Sequence, residues 1–107
     1  MIYPILFLKQ RIFNAASMAK HISIIVSGKV QGVFFRAFTK EKADELEITG
    51  FARNEPGGQV YIEAEGEEEF LNTFVSWCRQ GPRLANVTAL IINEGELKNF
   101  REFLIAR

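Results

Sequence analysis

The chain has 107 residues, of which 48% are hydrophobic and 24% charged, with 13 basic and 13 acidic side chains. This is one ordinary globular domain with enough chain to bury a modest core, and it excludes disorder along most of the length. No apolar run approaches the roughly 20 residues of a membrane-spanning helix, and the zero net charge argues against a nucleic-acid binder, which usually needs a strongly basic face.

The charge is unevenly spread. Residues 1–40 hold six basic side chains and no acid, whereas residues 41–69 hold ten acids against Lys42 and Arg53. The basic first part leaves room for a small anion. The single cysteine, Cys78, rules out an intrachain disulfide and fits a reducing, cytoplasmic compartment.

Residues 1–17 differ from the rest. Pro4 interrupts a short apolar run, and Lys9 and Arg11 follow that run instead of preceding it as in a secretory signal. The segment is expected to be a disordered extension, with a domain over 18–107; a membrane-adhering segment is disfavoured because no amphipathic period is present. His21–Ser27 then reads as a strand with Ile22, Ile24 and Val26 on one face. Gly28–Phe34 reads as a loop. Phe35–Leu46 reads as a helix with Phe35, Phe38, Ala43 and Leu46 on one side. Gly50–Asn54 and Gln59–Glu65 flank the turn residues Pro56-Gly57-Gly58 and make a hairpin. In its second strand Val60, Ile62 and Ala64 face one way, and Gln59, Tyr61, Glu63 and Glu65 the other. A second helix opens on Glu67-Glu68-Glu69, carries Phe70, Phe74, Trp77 and Cys78 as core, and ends at Arg79 with Gly81 as a left-handed cap and Pro82 as a stop. Ala85–Ile92 and Phe103–Ile105 are the last strands. The order β-α-β-β-α-β with a short terminal strand predicts an α+β fold, the two-layer split βαβ (ferredoxin-like) sandwich with two helices on one face of an antiparallel sheet.

The start of the first helix breaks two local rules. Residues 28–35 offer no Ser, Thr, Asp or Asn to cap the orphan N–H groups. Arg36 also puts a cation in the first turn, where the helix dipole favours acids. An external anion relieves both: Gly28 and Gly32 let the backbone curl closely, the uncapped amides attract it, and Arg36 offers a planar fork. On spacing alone, a water-capped glycine turn with an exposed Arg36 stands level with this reading.

The run from Val26 to Arg36, VSGKVQGVFFR, resembles the signature of the acylphosphatases. Gly50-Phe51-Ala52-Arg53-Asn54 with Pro56 and Gly58-Gln59-Val60 is similar to a second stretch of that family, and Gly81-Pro82 with Ala85 and Val87 to a third. The resemblance covers about residues 20–107. It implies a small, monomeric hydrolase that needs no metal or cofactor and converts an acyl phosphate and water into a carboxylate and inorganic phosphate. It implies that Arg36 binds phosphate and that Asn54 orients the attacking water. The cradle would be Gly28, Lys29, Val30, Gln31, Gly32, Val33 and Phe34. One departure is Gly57-Gly58 where the family often has Asp-Gly, a difference in turn shape.

Other residues are read as structural. A lone His21 cannot build a two-histidine metal site or a conventional triad. Cys78 and Arg83 are one residue short of the spacing in a cysteine-phosphatase loop, and Cys78 lies on the apolar side of its helix. Lys29 is either an exposed lysine or a contributor to local potential. Arg53 alternates away from Asn54, and Asn86-Val87-Thr88 is a sequon for which no sugar is expected. Phe35 is core; Phe34 either lines the site against an apolar acyl group or packs under the loop. The rival functions are a non-catalytic anion-binding or interaction module on the same fold, which would not need Asn54, and a single-strand RNA binder, against which the missing ribonucleoprotein motif counts.

Overall fold

The computed structural model describes residues 19–107, so the expectation for residues 1–17 lies outside the described residues. Seven elements follow one another: β1 Ala19–Lys29, α1 Phe35–Glu45, β2 Thr49–Asn54, β3 Val60–Glu67, α2 Glu68–Gln80, β4 Asn86–Gly95 and β5 Phe103–Ile105. The sheet runs β4-β1-β3-β2-β5. β1 pairs antiparallel with β3 and β4, and β2 antiparallel with β3. The expected split βαβ plan is present, with one correction. The sheet is mixed, because β5 runs parallel to β2, with Gly50 opposite Phe103 and Ala52 opposite Ile105.

Alternation along the strands builds the core. Ile22, Ile24 and Val26 of β1, Ala52 of β2 and Val60, Ile62 and Ala64 of β3 are buried on the helix side. Phe74 and Cys78 of α2 and Phe35 of α1 close onto them, and Phe70 and Trp77 pack at the margin. In α1 the buried positions are Phe35, Thr39 and Ala43, spaced i, i+4, i+8. Thr39 keeps its place by bonding its hydroxyl back to the Phe35 carbonyl at 2.7 Å. Phe38, expected in the core, is instead 44% exposed.

Several boundaries differ from expectation: β3 runs on to Glu67, expected to open the second helix, where it pairs with Ala19, and three further differences have local causes. β1 continues through Gly28 and Lys29, because a bulge between Ser27 and Gly28 lets both residues pair with Val87 and Asn86 of β4. β4 extends to Gly95, where it still pairs with His21. Gly81 has positive φ but an extended ψ (70°, −179°), so it leaves α2 without a left-handed helical turn, although its N–H still donates to Trp77 O at 2.7 Å.

The face of the sheet away from the helices is also covered. Glu63 and Glu65, which face away from Val60, Ile62 and Ala64 as expected, are only 7% and 5% exposed. The segment between β4 and β5 crosses them. Lys98 Nζ donates to Glu63 at 2.8 Å, and the Lys98 and Phe100 amides donate to Glu65 at 2.5 and 3.2 Å. His21, equally buried, sits between the two carboxylates, with Nδ1 2.7 Å from Glu65 and Nε2 3.3 Å from Glu63. Burial pushes both glutamates up. The bonds from Lys98 and Tyr61 to Glu63, and from the Lys98 amide, His21 and the Phe100 amide to Glu65, outweigh it and hold both below the ordinary carboxylate value.

Candidate active site at the start of the first helix

The alternation that buries Gly50 and Ala52 puts Asn54, two residues further, on the same helix-side face at the end of β2. Arg53 points to the opposite face. There its guanidinium stacks 4.8 Å from the Tyr61 ring centroid and pairs with Glu55. The loop between β1 and α1 arrives beside Asn54 because Gln31 ties it to the hairpin turn. Its side-chain amide donates to Glu55 O at 2.9 Å and Gln59 O at 2.8 Å. Gln59 in turn donates to the Ser27 hydroxyl.

The loop enters α1 abruptly. Phe34, the residue preceding the helix, is left-handed at φ 64°, ψ 24°, and no side chain caps the helix. A non-glycine residue held there costs about 1–2 kcal/mol, strain of a kind that concentrates at functional sites. Gly32 is also at positive φ, 76°. The amides of Gln31, Gly32, Val33 and Phe34 find no acceptor among the described residues. Of these residues Gly32 and Phe34, with the first turn of α1, border a concavity of about 300 Å3 lined also by Val30, Phe35, Arg36, Asn54 and Ile105, among others.

Arg36 is fixed from behind. Its Nη1 donates to the Ala106 carbonyl at 3.1 Å, and the Ala106 amide donates to Ala52 O on β2 at 2.8 Å. Among the described residues Arg36 makes no ion pair. The guanidinium is therefore held in place at the edge of the cavity without losing its charge to a carboxylate. Ala106, just past a three-residue strand, carried no signal in the sequence.

The expected cradle residues thus divide. Val30, Gly32, Phe34, Arg36 and Asn54 come together around one concavity. Gly28 and Lys29 stand in β1; a Cβ on Gly28 would lie 2.1 Å from Asn86 O, so this glycine serves the close approach of β4. The side chain of Gln31 faces the hairpin, and Val33 is buried under the loop. Cys78 is fully buried in α2, and burial alone pushes its thiol up to about 12, so it offers no thiolate at neutral pH. Among the described residues no group of three His, Cys, Asp or Glu is placed to hold a metal ion, and no helix is long and apolar enough to cross a membrane.

The family model for acylphosphatase matches residues 22–105. The chain belongs to the acylphosphatase family. An acylphosphatase of Methylococcus capsulatus is 44% identical over 89 residues, covering 82% of this chain and 97% of that protein. One from Archaeoglobus fulgidus is 46% identical over 85 residues, covering 79% and 96%. The solved acylphosphatase structure from Coxiella burnetii superposes with a TM-score of 0.82 at 34% identity, covering 85% of this chain and 96% of that one. The acylphosphatase match spans the loop, Arg36, the hairpin with Asn54, and β5.

Proposed function

We propose that this hydrolase cleaves the carboxyl–phosphate bond of acyl phosphates, with the phosphoryl group held by Arg36 and the amides of the β1–α1 loop and the attacking water oriented by Asn54. The observation that carries this reading is the guanidinium of Arg36, which is braced on Ala106 O and, among the described residues, makes no ion pair, beside loop amides that find no acceptor among those residues. Such an arrangement is complementary to a tetrahedral dianion.

The chemistry asks little more of the protein. The leaving carboxylate is a good leaving group, so phosphoryl transfer needs chiefly positioning and charge stabilisation. The three non-bridging oxygens take the loop amides and the guanidinium fork. The Asn54 amide both donates and accepts, so it can fix a water in line with the P–O bond that breaks. The water oxygen bonds to phosphorus, the electron pair of the broken bond leaves on the carboxylate, and the water protons pass to phosphate and solvent. In this reading the enzyme works as a cytoplasmic monomer without a metal ion. The loop amides of Val30, Gln31, Gly32, Val33 and Phe34 carry the cradle, while Gly28 and Lys29 anchor its base.

Hydrolysis of a synthetic acyl phosphate by the purified chain in the presence of a chelator tests the proposal. Turnover well above the buffer rate, inhibited competitively by inorganic phosphate, is the expected result. Phosphate binding without turnover would instead identify an anion-binding module.

A further inference from the structure

A second concavity, of about 450 Å3, adjoins the first and is lined by Val33, Phe34, Phe38, Trp77, Pro82, Arg83 and Leu84. Three of its walls are large apolar side chains left in the open: Phe34 is 69% exposed, Leu84 58% and Phe38 44%. Phe34 belongs to both concavities.

The sheet order fixes the relation between them. Asn54 and Ile105 stand at the β2–β5 side of the β1–α1 loop, whereas Trp77 and the Pro82–Leu84 turn that leads into β4 stand on the other side. Attacking and leaving oxygens lie roughly in line in phosphoryl transfer. With water delivered from Asn54, the carboxylate must depart away from β2, past Phe34 and towards this groove. The strained left-handed conformation of Phe34 holds its ring out between the two spaces.

We propose that the groove formed by Phe34, Phe38, Trp77 and Leu84 is the subsite for the acyl group, and that it selects extended apolar acyl chains over short ones. This rests on the reading of the first concavity as the phosphate site. Its volume falls in the range of small-ligand pockets, far more than an acetyl group fills. Each methylene fully transferred from water to such a surface is worth about 0.8 kcal/mol, or roughly fourfold in kcat/KM. A hexanoyl chain, half of whose additional methylenes are covered in the open groove, is favoured over acetyl by at least about tenfold.

The test compares hexanoyl phosphate with acetyl phosphate on the wild type, Phe38→Ala and Leu84→Gln. Phe38 and Leu84 are partly exposed, so both variants are expected to fold. The expected result is a hexanoyl-to-acetyl ratio of kcat/KM of at least about ten in the wild type, reduced severalfold in each variant. Trp77, the one tryptophan of the chain, reports binding independently. Hexanoate added with inorganic phosphate should change its emission in the wild type and do so more weakly in the variants. A wild-type ratio near one, or a ratio that both variants leave unchanged, would overturn the acyl subsite while leaving the hydrolase reading standing. Hydrolysis of neither substrate would overturn both.

Discussion

Arg36 carries its charge into a helix N-terminus that already holds partial positive charge, an arrangement that is unfavourable until an anion arrives. Removing the side chain should therefore cost transition-state binding and little stability. Arg36→Ala is expected to lower kcat by about 10²–10³ or more and to weaken phosphate inhibition, with an unchanged urea midpoint. Arg36→Lys should fail as well, since an ammonium cannot reproduce the planar fork that lets the guanidinium hold Ala106 O on one side and phosphate oxygens on the other. Retention of most activity by the lysine variant would show that bulk charge suffices. Asn54 is exposed at the end of its strand, so Asn54→Ala is also expected to fold normally. It should depress kcat far more than it raises KM, because a positioned water matters in the transition state and not for binding. An intact kcat would remove Asn54 from the mechanism. Both residues were legible as chemistry because each contradicts the preference of its own position or matches a family motif. His21 was not. Its importance depends on Glu63 and Glu65, which lie far along the chain and meet it only through the β1–β3 register.

At the scale of elements, the site depends on how the loop is clamped at both ends. Periodicity predicted the strands and helices, and their order predicted the layer plan. What periodicity could not give was the use of short-range irregularities. The bulge at Gly28 extends β1, the positive φ of Phe34 turns the loop into α1, and the three-residue β5 joins β2 in parallel. Each is set by pairing with distant residues. The expectation that Phe38 packs inward failed for a similar reason. Thr39 can be buried because its hydroxyl bonds to its own helix, and that rotates Phe38 towards the groove. The parallel β5 has a functional consequence, since it places Ala106 O under Arg36. Ala106→Pro removes the amide that bonds to Ala52 O and misplaces the carbonyl that receives Arg36. The expected effect is a severalfold rise in KM and a matching loss of phosphate affinity, with a fall in the urea midpoint smaller than a core truncation gives. If phosphate affinity is unaltered, Arg36 is aligned by something other than β5.

The two faces of the sheet do different work in the whole molecule. The helix face holds a dry apolar core and presents the site at one end; the other face is closed by a buried polar cluster that straps residues 96–102 across β1, β3 and β2. His21 and Phe51 both pack against Phe100, at ring-centroid distances of 6.0 and 5.9 Å. That strap leads directly into β5, and so the polar cluster supports the residue that braces Arg36. Both Glu63 and Glu65 ionise more readily folded than unfolded. As pH falls, the unfolded chain therefore takes up these protons first. Their contribution to stability is complete above the ordinary glutamate value of 4.5 and is lost as pH drops through the lower folded values. Glu65→Gln keeps the shape and one acceptor oxygen but removes the charge that His21 and two backbone amides address. At neutral pH it should cost about 3 kcal/mol, the lower end for breaking a buried ionic contact. The gap between wild type and variant should narrow as pH is lowered from neutral to well below 4.5, because there the unfolded wild-type chain takes up the proton before the folded one does. Urea unfolding of both proteins across that interval measures the gap directly. A gap that stays constant would mean that the cluster stabilises through packing and neutral hydrogen bonds, with no part for the ionised carboxylate.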